Sequence, residues 1–215
     1  MPEQIAFLCM LLLFVIFTLI VSQVLSKIMQ YYLCQSISIL EKPEKLPGSH
    51  TKRKISLFGL LFFFYSLSYY LMVDGLQLAI LWIFITFMVL ISIMDFEQQV
   101  ILDKILFPLL VLALCFSSFL PALLLNRLFA AVIGGGILLF LAIVTKGGIG
   151  GGDIKLLFVL GLWLGTDKLL FTLFLGFLSG GLVSAVLLLG KIKKTKDTIS
   201  YGPYFALSAI ATLLC

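Results

Sequence analysis

Residues 76–95 read LQLAILWIFITFMVLISIMD, nineteen residues without a charge followed by a carboxylate. An apolar run of that length is what an α-helix needs to cross a hydrocarbon core roughly 30 Å thick. The whole chain shares its character: of 215 residues, 62% are hydrophobic and 12% charged, and the mean hydropathy is +1.21. Such a composition lies outside the range of soluble globular domains. It predicts an all-α, polytopic membrane protein. The apolar runs suggest about eight segments, at 5–25, 55–73, 76–94, 105–125, 128–144, 154–165, 169–190 and 200–214. The sixth would be only roughly 18 Å long as a helix. The glycine-rich stretch before it is therefore expected to dip into the membrane, or the bilayer to thin there.

Three regions follow from this pattern. Residues 1–25 read as a transmembrane anchor, because the run lacks the basic start and small-residue cleavage site of a signal peptide. Residues 26–54 form a polar loop whose prolines and charges cannot enter hydrocarbon, and 55–215 form the membrane-embedded remainder. If the loop is cytoplasmic, thirteen of the fifteen lysines and arginines share its side, and only Arg127 and Lys168 lie opposite. The net charge of +5 is then the positive-inside bias of a membrane topology, and nucleic acid is not a partner. Both chain ends fall outside, and the joints at 95–104 and 145–153 fall on the cytoplasmic face. Cys9, Cys34, Cys115 and Cys215 form no CxxC pair, so neither a disulfide framework nor a zinc site is indicated. No metal or other cofactor is expected. His50 is the single histidine, which argues against chemistry built on an imidazole base.

Carboxylates remain as the candidate chemical groups. Glu3, Glu41, Glu44, Asp74, Asp167 and Asp197 belong to a terminus, loops or outer joints and read as solvated. Asp95, Glu97, Asp103 and Asp153 instead border apolar spans on the cytoplasmic face, where an ionisable group costs free energy unless watered or paired. Asp95 and Asp153 are 58 residues apart, one out-and-back helical hairpin, so the chain can return them to one place. Paired aspartates can hydrolyse a peptide bond without a nucleophilic side chain: one carboxylate draws a proton from water, and the other, kept protonated by its neighbour's charge, donates to the carbonyl oxygen.

The second aspartate sits in KGGIGGGDIK, residues 146–155. Glycine permits positive φ and lets another chain come close, so Gly148, Gly150 and Gly152 can lay a substrate backbone against Asp153. Asp153 as the N-cap of the following helix is the competing reading, and both can hold together. Asp103 reads as an N-cap and Glu97 as solvated. Lys155 can attract a substrate carboxylate or anchor its helix at the interface by snorkelling. Gly134, Gly135, Gly136, Gly180 and Gly181 read as sites of close helix contact.

Three stretches in order, DFEQQVILDKILFP at 95–108, GIGGGDIKLL at 148–157 and ISYGPYFALSAI at 199–210, resemble the prepilin leader peptidases of type IV pili, type II secretion and competence systems. The resemblance is carried by Asp95, Asp103 and Pro108, then Gly148, Gly150, Gly152, Asp153 and Lys155, then Gly202 and Pro203, and covers roughly 55–210. The GxGD core is shared with presenilin-like proteases; the three stretches together are specific. The resemblance implies a GxGD-type membrane aspartic protease of the bacterial cytoplasmic membrane, with Asp95 and Asp153 as the catalytic pair at the cytoplasmic face. The implied substrate is a prepilin or pseudopilin whose short basic leader is cut off ahead of an apolar helix. Longer members carry two CxxC pairs in the first loop and methylate the new N-terminus. This loop has only Cys34, so neither zinc nor methyl transfer is carried over. A catalytically silent scaffold of a pilus or secretion apparatus is one alternative. A small transporter is another, but it needs polar groups deep within several spans, and these are scarce here. The oligomeric state is left open.

Overall fold

In the computed structural model, which describes residues 2–37, 50–71, 74–119, 122–146, 148–190 and 200–214, all regular structure is helical. The chain forms two compact units, Met1–Val73 and Asp74–Cys215. The first is a helical pair, α1 (Pro2–Ile37) and α2 (His50–Leu71). Aromatic rings join it, Phe14 to Phe62 at 5.7 Å between centroids and Phe17 to Tyr65 at 6.2 Å. Thr18, Ser22 and Ser68 return their hydroxyls to carbonyls of their own helices, as buried hydroxyls in apolar helices must. Within the stretch 26–54, expected as a polar loop, helix continues to Ile37 and resumes at His50, and 38–49 lie outside the described residues.

The second unit contains α3 (Gly75–Gln98), α4 (Asp103–Cys115), a single 3-10 turn at Ser117–Phe119, α5 (Leu124–Val144), α6 (Gly151–Leu164), α7 (Thr166–Leu189) and α8 (Gly202–Leu214). Segments in α1 (Leu12–Tyr31) and α2 (Arg53–Leu71), and the whole of α3, α5 and α7, are long and apolar enough to cross a bilayer, making this a multi-pass membrane protein. By contrast α4, α6 and α8 have 13, 14 and 13 residues. At 1.5 Å per residue these reach about 20 Å, so eight full crossings are not supported by helix length.

The expected span at 105–125 is the clearest correction, since its helix stops at Cys115. What stops it is visible in the packing. Arg127, fully buried on the first turns of α5, donates from Nη2 to Ala113 O at 2.6 Å and from Nη1 to Ser117 O at 3.2 Å, and its Nε–H donates to Leu162 O. Ala113 and Leu162 belong to the last turns of α4 and α6, where carbonyls have no helical partner and, inside a membrane, no water. One guanidinium thus closes two short helices. The sequence reading had placed Arg127 in a solvated outer joint; it is a buried cap.

Close helix contact explains several glycines as expected. Gly134 and Gly135 of α5 face Leu157 and Phe158 of α6, and Gly180 of α7 faces Tyr201 and Tyr204, while Gly136 and Gly181 open onto free space. The tightest approach to backbone is at Gly161 of α6, where an added Cβ would lie 2.5 Å from Ala131 Cα and 2.6 Å from Ala130 C. Backbone cannot yield as a side-chain end does, so Gly161→Ala is expected to destabilise by about 3 kcal/mol, the upper part of the range for overpacking. A thermal midpoint in detergent equal to that of the unchanged protein would show that α5 and α6 can part freely.

Around these contacts α3 is the centre. From Met88 to Asp95 it is buried on every side, as an apolar helix in a bundle core should be. Phe84 packs on Trp163 of α6 with centroids 5.0 Å apart, and the Trp163 indole N–H donates to Leu109 O of α4 at 3.0 Å. Ser92 donates to Pro203 O of α8 at 3.4 Å, and Thr172 to Thr212 joins α7 to α8 at 3.1 Å. The last turn of α3 is thereby held beside the first turns of α6 and α8.

Candidate active site

Asp95 occupies that last turn of α3 and is 4% exposed. The helix ends three residues later, at Gln98: Gln99 takes a left-handed conformation (φ 54°) and its N–H donates to Asp95 O at 2.9 Å. Two donors from the start of α8 meet the Asp95 side chain. The Ser200 hydroxyl donates to Oδ2, and the Gly202 backbone N–H donates to the same carboxylate. Only glycine fits at 202, because a Cβ there would overlap Oδ2 and lie 2.9 Å from Asp95 Cγ.

Asp153 stands in the first turn of α6, ahead of the apolar run 154–164 and outside the five long spans, and is 8% exposed. Its helix is capped by Gly150, so Asp153 is not the N-cap; it is the third helical residue and accepts the Gly150 backbone N–H, the reach-back half of a capping box. That bond uses one oxygen. The other, Oδ1, is buried without a partner among the described residues. Burial first, and the nearby Asp95 charge second, push the Asp153 carboxyl up to about 7, against the opposing effect of the Gly150 N–H. The two aspartates proposed from spacing are therefore brought within electrostatic reach of each other.

Ile101, on the link from α3 to α4, packs between the two helix starts. A Cβ on Gly152 would lie 2.9 Å from Ile101 Cβ, and one on Gly202 would lie 3.1 Å from its Cδ1. The remaining glycines use less of their freedom than expected. Gly150 has φ −70°, Gly148 donates its N–H to Thr145 Oγ1 at 3.2 Å, and Lys146 is left-handed at φ 52°. Gly148, Gly150 and Gly151 are exposed, and Gly151 faces open space.

Lys155 and Asp103 are bound to each other instead of to the aspartate pair, with Nζ 2.8 Å from both carboxylate oxygens and both side chains exposed. The pair ties the start of α4 to the start of α6. Asp103 is the first residue of α4, after Leu102 as N-cap, which corrects the expectation that it caps. A groove of about 620 Å³ between α4, α5 and α6, lined by Leu106, Phe107, Val132, Gly136 and Phe158, reaches this ion pair and touches neither Asp95 nor Asp153. Ser200 is the site residue that the sequence reading missed. A hydroxyl just before Gly-Pro signals a helix start, but nothing in its spacing says that it bonds to a carboxylate 105 residues earlier.

Two buried carboxylates, one fixed as an acceptor by two donors and the other inclined to keep its proton, have what water activation and proton donation require. Against known families, residues 82–185 match the type IV leader peptidase family. Over that segment the chain resembles the type IV leader peptidase family. Three relatives described as prepilin leader peptidase/N-methyltransferase show the extent. The protein of Stutzerimonas stutzeri is 36% identical over 57% of this chain and 45% of its own length. That of Escherichia coli (strain K12) is 32% identical over 62% and 61%, and that of Bacillus subtilis (strain 168) 31% over 61% and 54%. The chain thus spans about half the length of the relatives it matches. No solved structure matches. The family segment takes in Asp95, Asp103, Asp153 and Lys155, and Ser200 and Gly202 lie beyond it.

Proposed function

We propose that the chain is a membrane aspartic endopeptidase that removes the short basic leader from type IV prepilin-like or competence pseudopilin precursors, with Asp95 and Asp153 as its catalytic pair. The observation that carries this is the convergence of two buried aspartates from α3 and α6 beneath the start of α8. The family of residues 82–185 supports the substrate class. A cytoplasmic-face site in the bacterial plasma membrane is the placement that the lysine and arginine bias favours, and it is where a basic leader would lie.

In this reading the scissile peptide lies extended over Gly148, Gly150 and Gly151, where no side chain holds it off. Gly152 contributes by letting Ile101 settle beneath. A substrate carboxylate reaching Lys155 has to compete with Asp103. Methyl transfer appears in the description of the relatives but is not part of this proposal, because the first loop, where longer members of the family resembled carry CxxC pairs, has only Cys34.

The test is cleavage of a purified prepilin by the purified protein in detergent, read as the mass of the product N-terminus. The same mass shows whether a methyl group is added. The proton on Asp153 is present below about 7 and lost above it, so the rate should fall as pH rises through that value, approaching about tenfold per unit once the acid is fully ionised. An uncut prepilin, or a rate that keeps climbing through alkaline pH, overturns this reading.

A further inference from the structure

The two aspartates are not held alike. Asp95 is met by the Ser200 hydroxyl and by the Gly202 N–H, the first backbone donor of α8. Asp153 has the Gly150 N–H on one oxygen and leaves buried Oδ1 without a partner among the described residues. Donors aimed at a carboxylate favour its ionised form, and the N-terminus of a 13-residue helix adds the positive end of its dipole. An unpartnered buried oxygen has the opposite preference, since charge on it is not compensated.

We propose that Ser200 and the start of α8 form a positioning device that makes Asp95 the ionised, water-activating member of the pair and leaves the shared proton on Asp153. This rests on reading the pair as catalytic and adds which carboxylate does what. Asp95 takes a proton from water as the water oxygen bonds to the scissile carbonyl carbon, and Asp153 gives its proton to the carbonyl oxygen. The C–N bond then breaks as Asp95 passes its new proton to the departing nitrogen and Asp153 recovers a proton from the collapsing diol. Atoms and charges return to their starting state.

Ser200 never touches the reacting atoms in this scheme; it acts through Asp95. Besides Asp153, the titratable and charged groups among the described residues at this end of the unit are Glu97 of α3, Asp103 and Lys104 of α4, Lys146 after α5, Lys155 of α6, and Tyr201 and Tyr204, which pack against Gly180 of α7. All are unchanged when Ser200 alone is replaced.

The experiment is the pH profile of kcat/KM for prepilin cleavage by the full chain. Ser200→Ala should move the acid limb up by on the order of one pH unit while the alkaline limb stays in place. Ser200→Thr, which keeps the hydroxyl, should keep the original profile. If Ser200→Ala does not fold, Ser200→Thr against the equally shaped Ser200→Val makes the same comparison. A uniform loss of rate with both limbs unmoved would show Ser200 to be structural only and overturn the proposal. Cleavage that survives Asp95→Asn and Asp153→Asn would overturn the catalytic reading itself, whereas inactive aspartate variants beside an unmoved Ser200→Ala profile would sink only the role assigned to Ser200.

Discussion

Asp95→Asn and Asp153→Asn are each expected to slow prepilin cleavage by about 1000-fold or more, with thermal midpoints in detergent close to that of the unchanged protein. The magnitude follows from the loss of one partner in a general acid–base pair, which accounts for about 10²- to 10⁴-fold. Asparagine keeps the shape and one acceptor oxygen, so Ser200 and Gly202 can still bond at 95 and the Gly150 N–H at 153. Neither amide can take a proton from water or hold one for the carbonyl oxygen. Because the two residues act as a unit, the double variant should be barely slower than either single one. Multiplying losses would mean two independent roles, and a single variant within about tenfold of the unchanged rate would remove that residue from the chemistry.

The second large effect concerns folding. Arg127→Met should lower stability by about 3–5 kcal/mol, because it strips the donor from carbonyls at helix ends where water is excluded. In a chain of this size that is a fall of roughly 10 °C in thermal midpoint. Methionine fills much of the volume, so the loss reports the hydrogen bonds to Ala113, Ser117 and Leu162 and not an empty space. Arg127→Lys should recover only part of it, since an ammonium is a point charge without the planar fork that reaches three carbonyls. Equal midpoints for arginine and methionine would show that α4 and α6 close their ends without it.

That residue illustrates how much of the fold could be read from the chain. Long apolar helices were legible because a bilayer demands about twenty apolar residues in a row, and α3, α5 and α7 appear where such runs lie. The end of α4 was not. Nothing in 105–125 announces that a guanidinium from α5 will take up its carbonyls at Cys115, since a buried cap is a relation between helices. The same holds for the start of the chain, where helix persists to Ile37 into the stretch expected as a polar loop.

At the site the division is similar. Asp95 and Asp153 could be picked out by sequence because a carboxylate bordering apolar spans is uncommon and costly, and one hairpin returns the chain to the same face. Lys155 and Asp103 could be named, but not paired; their bond across 52 residues depends on how α4 and α6 start side by side. The glycines of 148–152 were expected for backbone freedom, yet Gly152 and Gly202 matter for the space they leave to Ile101 and Asp95.

By itself the sequence determined the membrane class, the long helices and the two carboxylates, because each follows from the cost of placing polar groups in hydrocarbon. Only the tertiary structure decided that α4 and α6 share a buried arginine, that Ser200 and Gly202 grip Asp95, and that one Asp153 oxygen has no partner among the described residues. Hydrogen bonds between distant helices depend on direction and on separations of a few ångströms, which composition and spacing do not specify.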